Sequence, residues 1–236
     1  MGRKLTAESI TKGLLNEEER KYLTEVKEDF EATCKGQFRI LTSKDINDWT
    51  QEGIQAKFEE IDEEFKKESL RRNPEKEPVG LDGFIVDYIQ LVSNFRPKGM
   101  DKKDYCNDFV GICNDIILNF NGTGLIGILL SQVNREGERK LRKTKIATMD
   151  MLAELNSLER YGYTITIVFS TPAERANNTM FMQVIKNRGG GTQTELFSTY
   201  ADYSANLVGS SEFREIFTEQ TLDDLGLGSD EGDLFV

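Results

Sequence analysis

The sequence predicts an α/β fold built on a parallel sheet. Two apolar runs, 83–86 and 124–130, are typical of strands that are buried on both faces. Residues 104–120, which lie between these runs, are predicted to form a helix. A strand, a helix and a strand in this order make a right-handed βαβ unit, whose two strands are parallel. The chain has 236 residues, which suits one domain or one domain with an appendage.

The N-terminal part is predicted to be mainly helical. Apolar side chains recur at roughly helical spacing over 6–33 and again over 50–70, so each segment is predicted to be one helix. Between them, residues 37–41 are predicted to form a short strand. Residues 71–78 contain two prolines and several charges, and they are predicted to be a polar loop.

The C-terminal part is predicted to contain one more helix, over 149–160, and several strands. The predicted strands are 163–169, 180–186 and 194–198. The last two are joined by residues 187–191, whose asparagine and glycines predict a hairpin turn.

The composition excludes several kinds of chemistry. The chain has no histidine, so Ser-His-Asp triads and histidine-ligated zinc are excluded, and a bound metal should be an oxygen-liganded ion such as Mg²⁺. The net charge of −11 restricts any nucleic-acid contact to a local basic strip. Cys34, Cys106 and Cys113 are interpreted as packed thiols rather than redox or metal sites.

Polar or charged side chains follow three of the predicted strands. A carboxylate at a strand end, as at Asp87, can hold Mg²⁺ on the phosphates of a nucleotide, and Gln132 could hydrogen-bond a γ-phosphate or the attacking water. Lys186 and Arg188 are two residues apart at the hairpin, so alternation points them the same way and they could act as an arginine finger. Taken singly, these features also fit an acid that ends a strand, a polar loop and an exposed basic turn.

Together, the three features resemble the DnaB family of hexameric replicative DNA helicases. The family patterns I-D-Y-L-Q-L, L-S-Q-L-N-R and K-x-R-x-G are similar to V-D-Y-I-Q-L at 86–91, L-S-Q-V-N-R at 130–135 and K-N-R-G-G at 186–190. Residues 152–163 are similar to a further family segment, L-R-E-S-G-S-I-E-Q-D-A-D. The resemblance covers roughly residues 5–200.

The resemblance implies a RecA-like fold of the P-loop NTPase type, in which helices flank a twisted, mostly parallel sheet in three layers. The fold would be incomplete at its N-terminus. ATP and Mg²⁺ are the implied cofactors, with Asp87 helping to hold Mg²⁺ and Gln132 reading the γ-phosphate. Lys186 and Arg188 would reach in trans into the ATP site of the adjacent subunit of a ring, which the family implies to be a hexamer.

The implied partner is single-stranded DNA in the channel of the ring. The resemblance places residues 153–156 there, including Glu154 and Asn156, but Ala153 stands where the family has arginine. The basic segment 134–145 could offset that loss as a flexible cationic loop that tracks phosphates, although a plain solvated loop is the alternative. The candidate DNA contacts in this segment are Arg135, Arg139, Lys140, Arg142, Lys143 and Lys145.

A phosphate-binding loop of the form G-x-x-x-x-G-K-[ST] does not occur in the sequence. Residues 122–127 spell G-x-G-x-x-G, but they run from a helix into a strand, whereas a dinucleotide site needs the reverse order. We therefore expect the C-terminal part of a replicative helicase, which couples ATP hydrolysis to translocation and unwinding once a companion polypeptide supplies the loop. The alternative is a non-catalytic, helicase-like protein that binds DNA or a helicase.

Three regions are expected on this basis. Residues 1–80 would be the N-terminal helical part, and 81–208 the core with the Asp87 strand, the sensor glutamine and the finger hairpin. Residues 209–236 would form an acidic tail, interpreted as disordered, with a docking peptide as the alternative. No membrane-spanning run or secretory signal is apparent, so a cytoplasmic protein is expected.

Overall fold

The computed structural model describes residues 5–34, 36–152, 155–190, 196–204 and 207–209. The chain divides into two compact units. One, here called the parallel-sheet unit, comprises Gly36–Arg139 and Thr148–Tyr163. The other, the antiparallel-sheet unit, comprises Met1–Lys35, Lys140–Ala147 and Thr164–Val236.

The parallel-sheet unit is built around a βαβ arrangement. Strand β1 (Gly83–Val86) pairs in parallel with β2 (Ile126–Leu129), with Val86 opposite Leu129. The connection contains the short helix α4 (Ile89–Val92) and the long helix α5 (Lys102–Asn119). Helix α3 (Gln51–Arg72) precedes β1, and α7 (Asn156–Tyr161) ends the unit. The predicted α/β class and parallel strand pair are confirmed.

The core of this unit lies between the helices and one face of the two strands. Its apolar residues on α3 are spaced as the sequence predicts, and Phe58 meets Phe84 of β1 with ring centroids 4.9 Å apart. Helix α5 contributes Val110 and Cys113, both nearly inaccessible to solvent. Burial raises the pKa of the Cys113 thiol to about 12, so this cysteine packs as an apolar residue. Cys106 is also buried, whereas Cys34 is exposed.

A buried carboxylate on α3 fixes the segment that enters β1. Asp62 is 4% exposed and accepts hydrogen bonds from the Leu81 backbone N–H at 2.8 Å and from Asn121 Nδ2 at 2.9 Å. Lys66 Nζ lies 2.7 Å from Oδ2 of the same carboxylate. Burial by itself would raise the pKa of Asp62, but the hydrogen bonds from Lys66, Leu81 and Asn121 outweigh it and hold that pKa below its usual range.

The antiparallel-sheet unit holds the remaining strands. In order, β3 (Thr164–Phe169), β4 (Thr179–Asn187), β5 (Leu196–Asp202) and β6 (Leu207–Val208) form one sheet, and each pair is antiparallel. The β3–β4 connection contains only the five-residue helix α8 (Pro172–Ala176), which is too short for a parallel crossover. The described strands therefore pair mostly antiparallel, and the expectation of a mostly parallel sheet is wrong for this part of the chain.

The N-terminal helix predicted over 6–33 is two helices, α1 (Ala7–Thr11) and α2 (Glu17–Thr33). Gly13 has φ of 67°, which is left-handed and ends the helical path. Asn16 then starts α2 with a capping box, since its side chain accepts from the Glu19 N–H while Glu19 accepts from the Asn16 N–H.

Residues 37–41 do not form the predicted strand. Two of their side chains are held by α3 instead: Gln37 Nε2 donates to the Phe65 carbonyl at 2.7 Å, and Arg39 pairs with Glu64. Phe38 and Ile40 are exposed, and no strand in the described part of the chain pairs with this segment. The alternating pattern is present, but the neighbouring strand that would use it is not found there.

The basic segment predicted as a flexible loop is instead a helix, α6 (Arg135–Thr144). The Asn134 side chain accepts a hydrogen bond from the Gly137 N–H at 2.6 Å, which caps the first turn. Glu136 and Glu138 lie in the first turn and Arg142 and Lys143 in the last, where each charge sign is favoured by the helix dipole. The loop interpretation is wrong because these local signals favour a helix.

Candidate functional site

The carboxyl ends of β1 and β2 bring two of the predicted site residues to one edge of the sheet. Asp87 follows Val86 directly, and Gln132 is the third residue after Leu129, the register partner of Val86. The ladder continues one step past the strands, because the Leu130 N–H donates to the Val86 carbonyl at 3.0 Å. Both side chains are exposed. Ligands of α/β sheets bind at this edge.

Gln90, to which the sequence analysis gave no role, ties the two strand ends together. Its Nε2 donates to Ser131 Oγ at 2.9 Å and to the Gln132 carbonyl at 3.3 Å, while its Oε1 accepts from the Gln132 N–H at 3.4 Å. The Ile89 N–H donates to the Leu130 carbonyl at 3.0 Å, so the backbone reinforces this link. One side chain thus sets the position of the Gln132 backbone relative to the end of β1. The peptide bond between Asp87 and Tyr88 is cis.

The two hairpin cations lie in the antiparallel-sheet unit. Lys186 is half-buried near the end of β4 and pairs with Ile165, next to a register shift between Ile165 and Thr166. Arg188 is exposed in the turn, where the Asn187 side chain accepts from the Gly189 N–H at 3.1 Å. Both cations have interaction partners in the structure. The predicted hairpin is confirmed by the antiparallel β4–β5 pairing.

Helix α6 separates its cations from its buried residues. Gly137 and Leu141, four residues apart, are buried on one side. Positions 135, 139, 142 and 143 recur at i, i+4, i+7 and i+8, which is one helical stripe on the opposite side. The exposed cations on that stripe are Arg135, Arg139, Arg142 and Lys143. Lys140 lies between the two sides and is half-buried.

Asn134 also attaches the start of α6 to a neighbouring turn. Its backbone N–H donates to the Met151 carbonyl at 3.2 Å, and its Nδ2 donates to the Asp150 carbonyl at 3.1 Å. A Cβ atom on Gly137 would lie 2.8 Å from the Met151 side chain, so the helix can pass this close only with glycine there. This cap is readable in the sequence, because an asparagine stands just before the basic run and an acid follows it.

Lys145 differs from the other basic residues of the segment. Its Nζ lies 2.9 Å from Oε1 of Glu174, whose side chain is 1% exposed, and 5.3 Å from the ring centroid of Phe181. Burial would raise the pKa of Glu174, but hydrogen bonds from Thr171 and Lys145 hold that pKa below its usual range. The structure therefore places the Lys145 charge in a buried ion pair and away from the exposed stripe.

Of the two predicted DNA contacts near α7, Asn156 is exposed at the first residue of that helix, while Glu154 lies outside the described residues. The predicted acidic tail lies outside them as well, from residue 210 onward. In the described ranges, no cluster of three or more metal-ligating side chains is found, and no helix is long and apolar enough to cross a membrane.

These observations define an α/β protein with polar groups gathered at the carboxyl edge of a parallel strand pair. Solved structures that the chain is similar to include the ATPase domain of a DnaB-like helicase, at 17% identity and a TM-score of 0.47, with 67% of this chain and 50% of that chain covered. A DnaB-like replicative helicase, solved in a study of its interactions with primase, matches at 18% identity and a TM-score of 0.43, with 64% and 32% covered.

The structural comparison thus finds the same family that the sequence motifs resemble, the DnaB-type helicases. The chain spans half of the first matched chain and about a third of the second. No protein-family model and no curated protein sequence matches it.

Proposed function

We propose that this chain is the C-terminal part of a replicative DNA helicase motor, with its nucleotide site at the carboxyl edge of β1 and β2. The observation that carries the proposal is the Gln90 link, which holds the segment of Gln132 against the end of β1, where Asp87 stands. A carboxylate and an amide side by side at a strand edge suit a nucleotide whose γ-phosphate carries Mg²⁺. Completed from outside these residues, the sheet would be the twisted, three-layer sheet of a RecA-like domain.

Each residue at this edge has a distinct role in the proposal. Asp87 holds Mg²⁺, an ion that proteins bind through one or two carboxylates while phosphate and water oxygens supply its other ligands. Gln132 donates to the γ-phosphate or orients the attacking water, and Gln90 is a positioning residue for it. The phosphate-binding loop comes from outside the 236 residues, on a companion polypeptide.

The remaining residues act between subunits and on DNA. Lys186 and Arg188 stabilise charge on the γ-phosphate held by an adjacent subunit, in a ring that we expect to be a hexamer. The exposed stripe of α6 contacts the phosphates of single-stranded DNA without reading sequence. Lys145 is omitted from this contact because it is paired with Glu174.

ATP hydrolysis by the complemented protein tests the proposal. Asp87→Ala should lower DNA-stimulated ATP hydrolysis at least about 100-fold, because the metal loses its protein ligand at the phosphates. Asp82→Ala is a matched control, since Asp82 is an exposed carboxylate at the opposite end of the same strand. The control should keep near-normal hydrolysis.

The same measurement separates this function from a non-catalytic role. DNA or helicase binding that needs no nucleotide and survives Asp87→Ala, with no hydrolysis by the complemented wild-type chain, would favour the non-catalytic alternative. Equal hydrolysis by the Asp87→Ala and Asp82→Ala variants would place the metal elsewhere and refute the assigned site.

A further inference from the structure

One face of the parallel strand pair is apolar and open to solvent. Ile85 on β1 is 59% exposed, and Ile126 and Ile128 on β2 are 70% and 48% exposed. Leu130, one residue past β2, is 43% exposed. These positions alternate along their strands, so they belong to one face, which we call the open face.

The other face of the same strands is already covered. Phe84, Val86 and Leu129 pack against the core cluster that α3 and α5 complete. A Cβ atom on Gly127 would lie 2.3 Å from Cδ1 of Ile117 in α5, so the helix lies directly on the strand there. The contrast between the two faces shows that the strands are built to be covered twice and are covered once.

Parallel sheets are covered on both faces by helices, because their strands are apolar on both sides. In a βα unit, the helix runs back along the sheet, so its N-terminus lies at the carboxyl ends of the strands. On the open face, that end carries Asp87, which continues the alternation of Ile85, and the exposed Gln132. A helix that covers the open face therefore brings its N-terminus to these two residues.

We infer that the open face is the docking surface for a strand–loop–helix segment from outside these 236 residues, whose loop is the G-x-x-x-x-G-K-[ST] phosphate-binding loop. This inference rests on the proposed function and names the surface on which the companion segment binds. The chemistry of the edge selects the occupant: a helix N-terminus with a glycine-rich loop supplies the backbone N–H groups and the positive end of a dipole that bind phosphate. An ordinary amphipathic helix would cover the isoleucines but leave the carboxylate and the amide without a phosphate to act on.

Site-specific photo-crosslinking in cells that naturally make the protein tests the inference. A benzoylphenylalanine probe replaces Ile126 in the full-length chain, and a second chain carries it at Val168 of β3 as a matched control, since Val168 is also a strand residue with a 52% exposed side chain. The probe at 126 should capture a segment containing G-x-x-x-x-G-K-[ST], identified by mass spectrometry, and the probe at 168 should not. Ile128→Glu should lower the captured fraction about tenfold or more, because a carboxylate would be buried without a partner.

Three outcomes overturn the inference: no crosslink at 126, capture only of a segment without the phosphate loop, or capture only of a second copy of this chain. ATP hydrolysis by the captured complex is measured separately. Capture of the loop without hydrolysis sensitive to Asp87→Ala leaves the docking surface standing and refutes the proposed function. Hydrolysis that depends on Asp87 with no capture at 126 does the reverse.

Discussion

At the scale of single residues, the proposed site depends on an amide that does not face the nucleotide. Gln90 uses both ends of its side-chain amide across the β1–β2 edge, donating to Ser131 and to the Gln132 carbonyl and accepting from the Gln132 N–H. The side chain of Gln132 is exposed, so its position is inherited from its backbone. Removal of the Gln90 amide should therefore loosen the segment without unfolding the unit.

Gln90→Ala provides that test. Each lost hydrogen bond is worth about 1 kcal/mol, so exchange of the Gln132 amide proton should be about five to ten times faster in the variant. Hydrogen exchange resolved at Gln132 is the measurement. Gln55→Ala is the matched control, because Gln55 is an exposed α3 residue whose side-chain amide donates to Glu59 of the same helix. Equal exchange rates in the two variants would show that Gln90 does not position the segment.

The same residues show how far the sequence predicts the site. Asp87 and Gln132 were predictable, since each follows an apolar strand and parallel register brings such positions to one edge. The role of Gln90 was not, because a side chain that bridges two strand ends depends on coordinates that a pattern does not contain. Lys145 was assigned by charge alone, and only the structure places the buried Glu174 beside it.

At the scale of elements, periodic patterns predicted what a segment becomes only where the partner surface is present. Helix α3 and the β1–β2 pair formed as expected because each buries its apolar residues in one core. Residues 37–41 have the alternation of a strand, yet they lie beside α3 without a strand neighbour in the described structure. Helix α6 is the opposite case, in which net basic character favoured a loop interpretation while the cap at Asn134 made a helix.

The helical form of α6 sharpens the prediction for DNA binding. A triple change of Arg139, Arg142 and Lys143 to alanine removes cations from one stripe, so affinity for single-stranded DNA should fall about tenfold or more at moderate salt. The slope of log affinity against log salt should flatten by about 0.7 for each phosphate contact that is lost. Fluorescence anisotropy of a labelled oligothymidine across a salt series gives both quantities.

The control for this experiment is the double change Arg71→Ala and Arg72→Ala at the end of α3, where both arginines pair with Glu68. These exposed cations lie outside the proposed interface, so the salt slope should remain that of the wild type. An unchanged slope in the α6 variant would remove this helix from the DNA contact.

At the scale of the whole molecule, the chain should respond to acid through carboxylates alone. It has no histidine, so no histidine changes charge between pH 5 and pH 8. Each compact unit contains a deeply buried carboxylate with a lowered pKa, Asp62 in the parallel-sheet unit and Glu174 in the antiparallel-sheet unit. Both contacts join segments that are distant in sequence: Asp62 to Leu81 and Asn121, and Glu174 to Lys145.

A carboxylate with a lowered folded pKa stabilises the protein above its unfolded pKa of about 4, and this contribution is lost as the pH falls through the folded value. We therefore expect a flat thermal unfolding temperature from pH 7 to about pH 5 and a steep fall below about pH 4. Trp49 is the only tryptophan and stacks on Phe95 in the parallel-sheet unit, with ring centroids 4.3 Å apart, so its fluorescence reports the unit that contains Asp62.

Asp62→Asn should lower the free energy of unfolding reported by Trp49 by about 2 to 3 kcal/mol at pH 7, because Lys66 loses its buried partner. The variant should also lose part of the acid response, since asparagine does not titrate. The exposed Glu68, whose pKa is lowered to about 2 by Arg71 and Arg72, would keep a smaller share. Glu63→Gln, one residue along α3 and exposed, is the control and should retain the wild-type acid response. If the Asp62→Asn and Glu63→Gln variants unfold alike from pH 7 to pH 3, the buried carboxylate is not what makes this unit sensitive to acid.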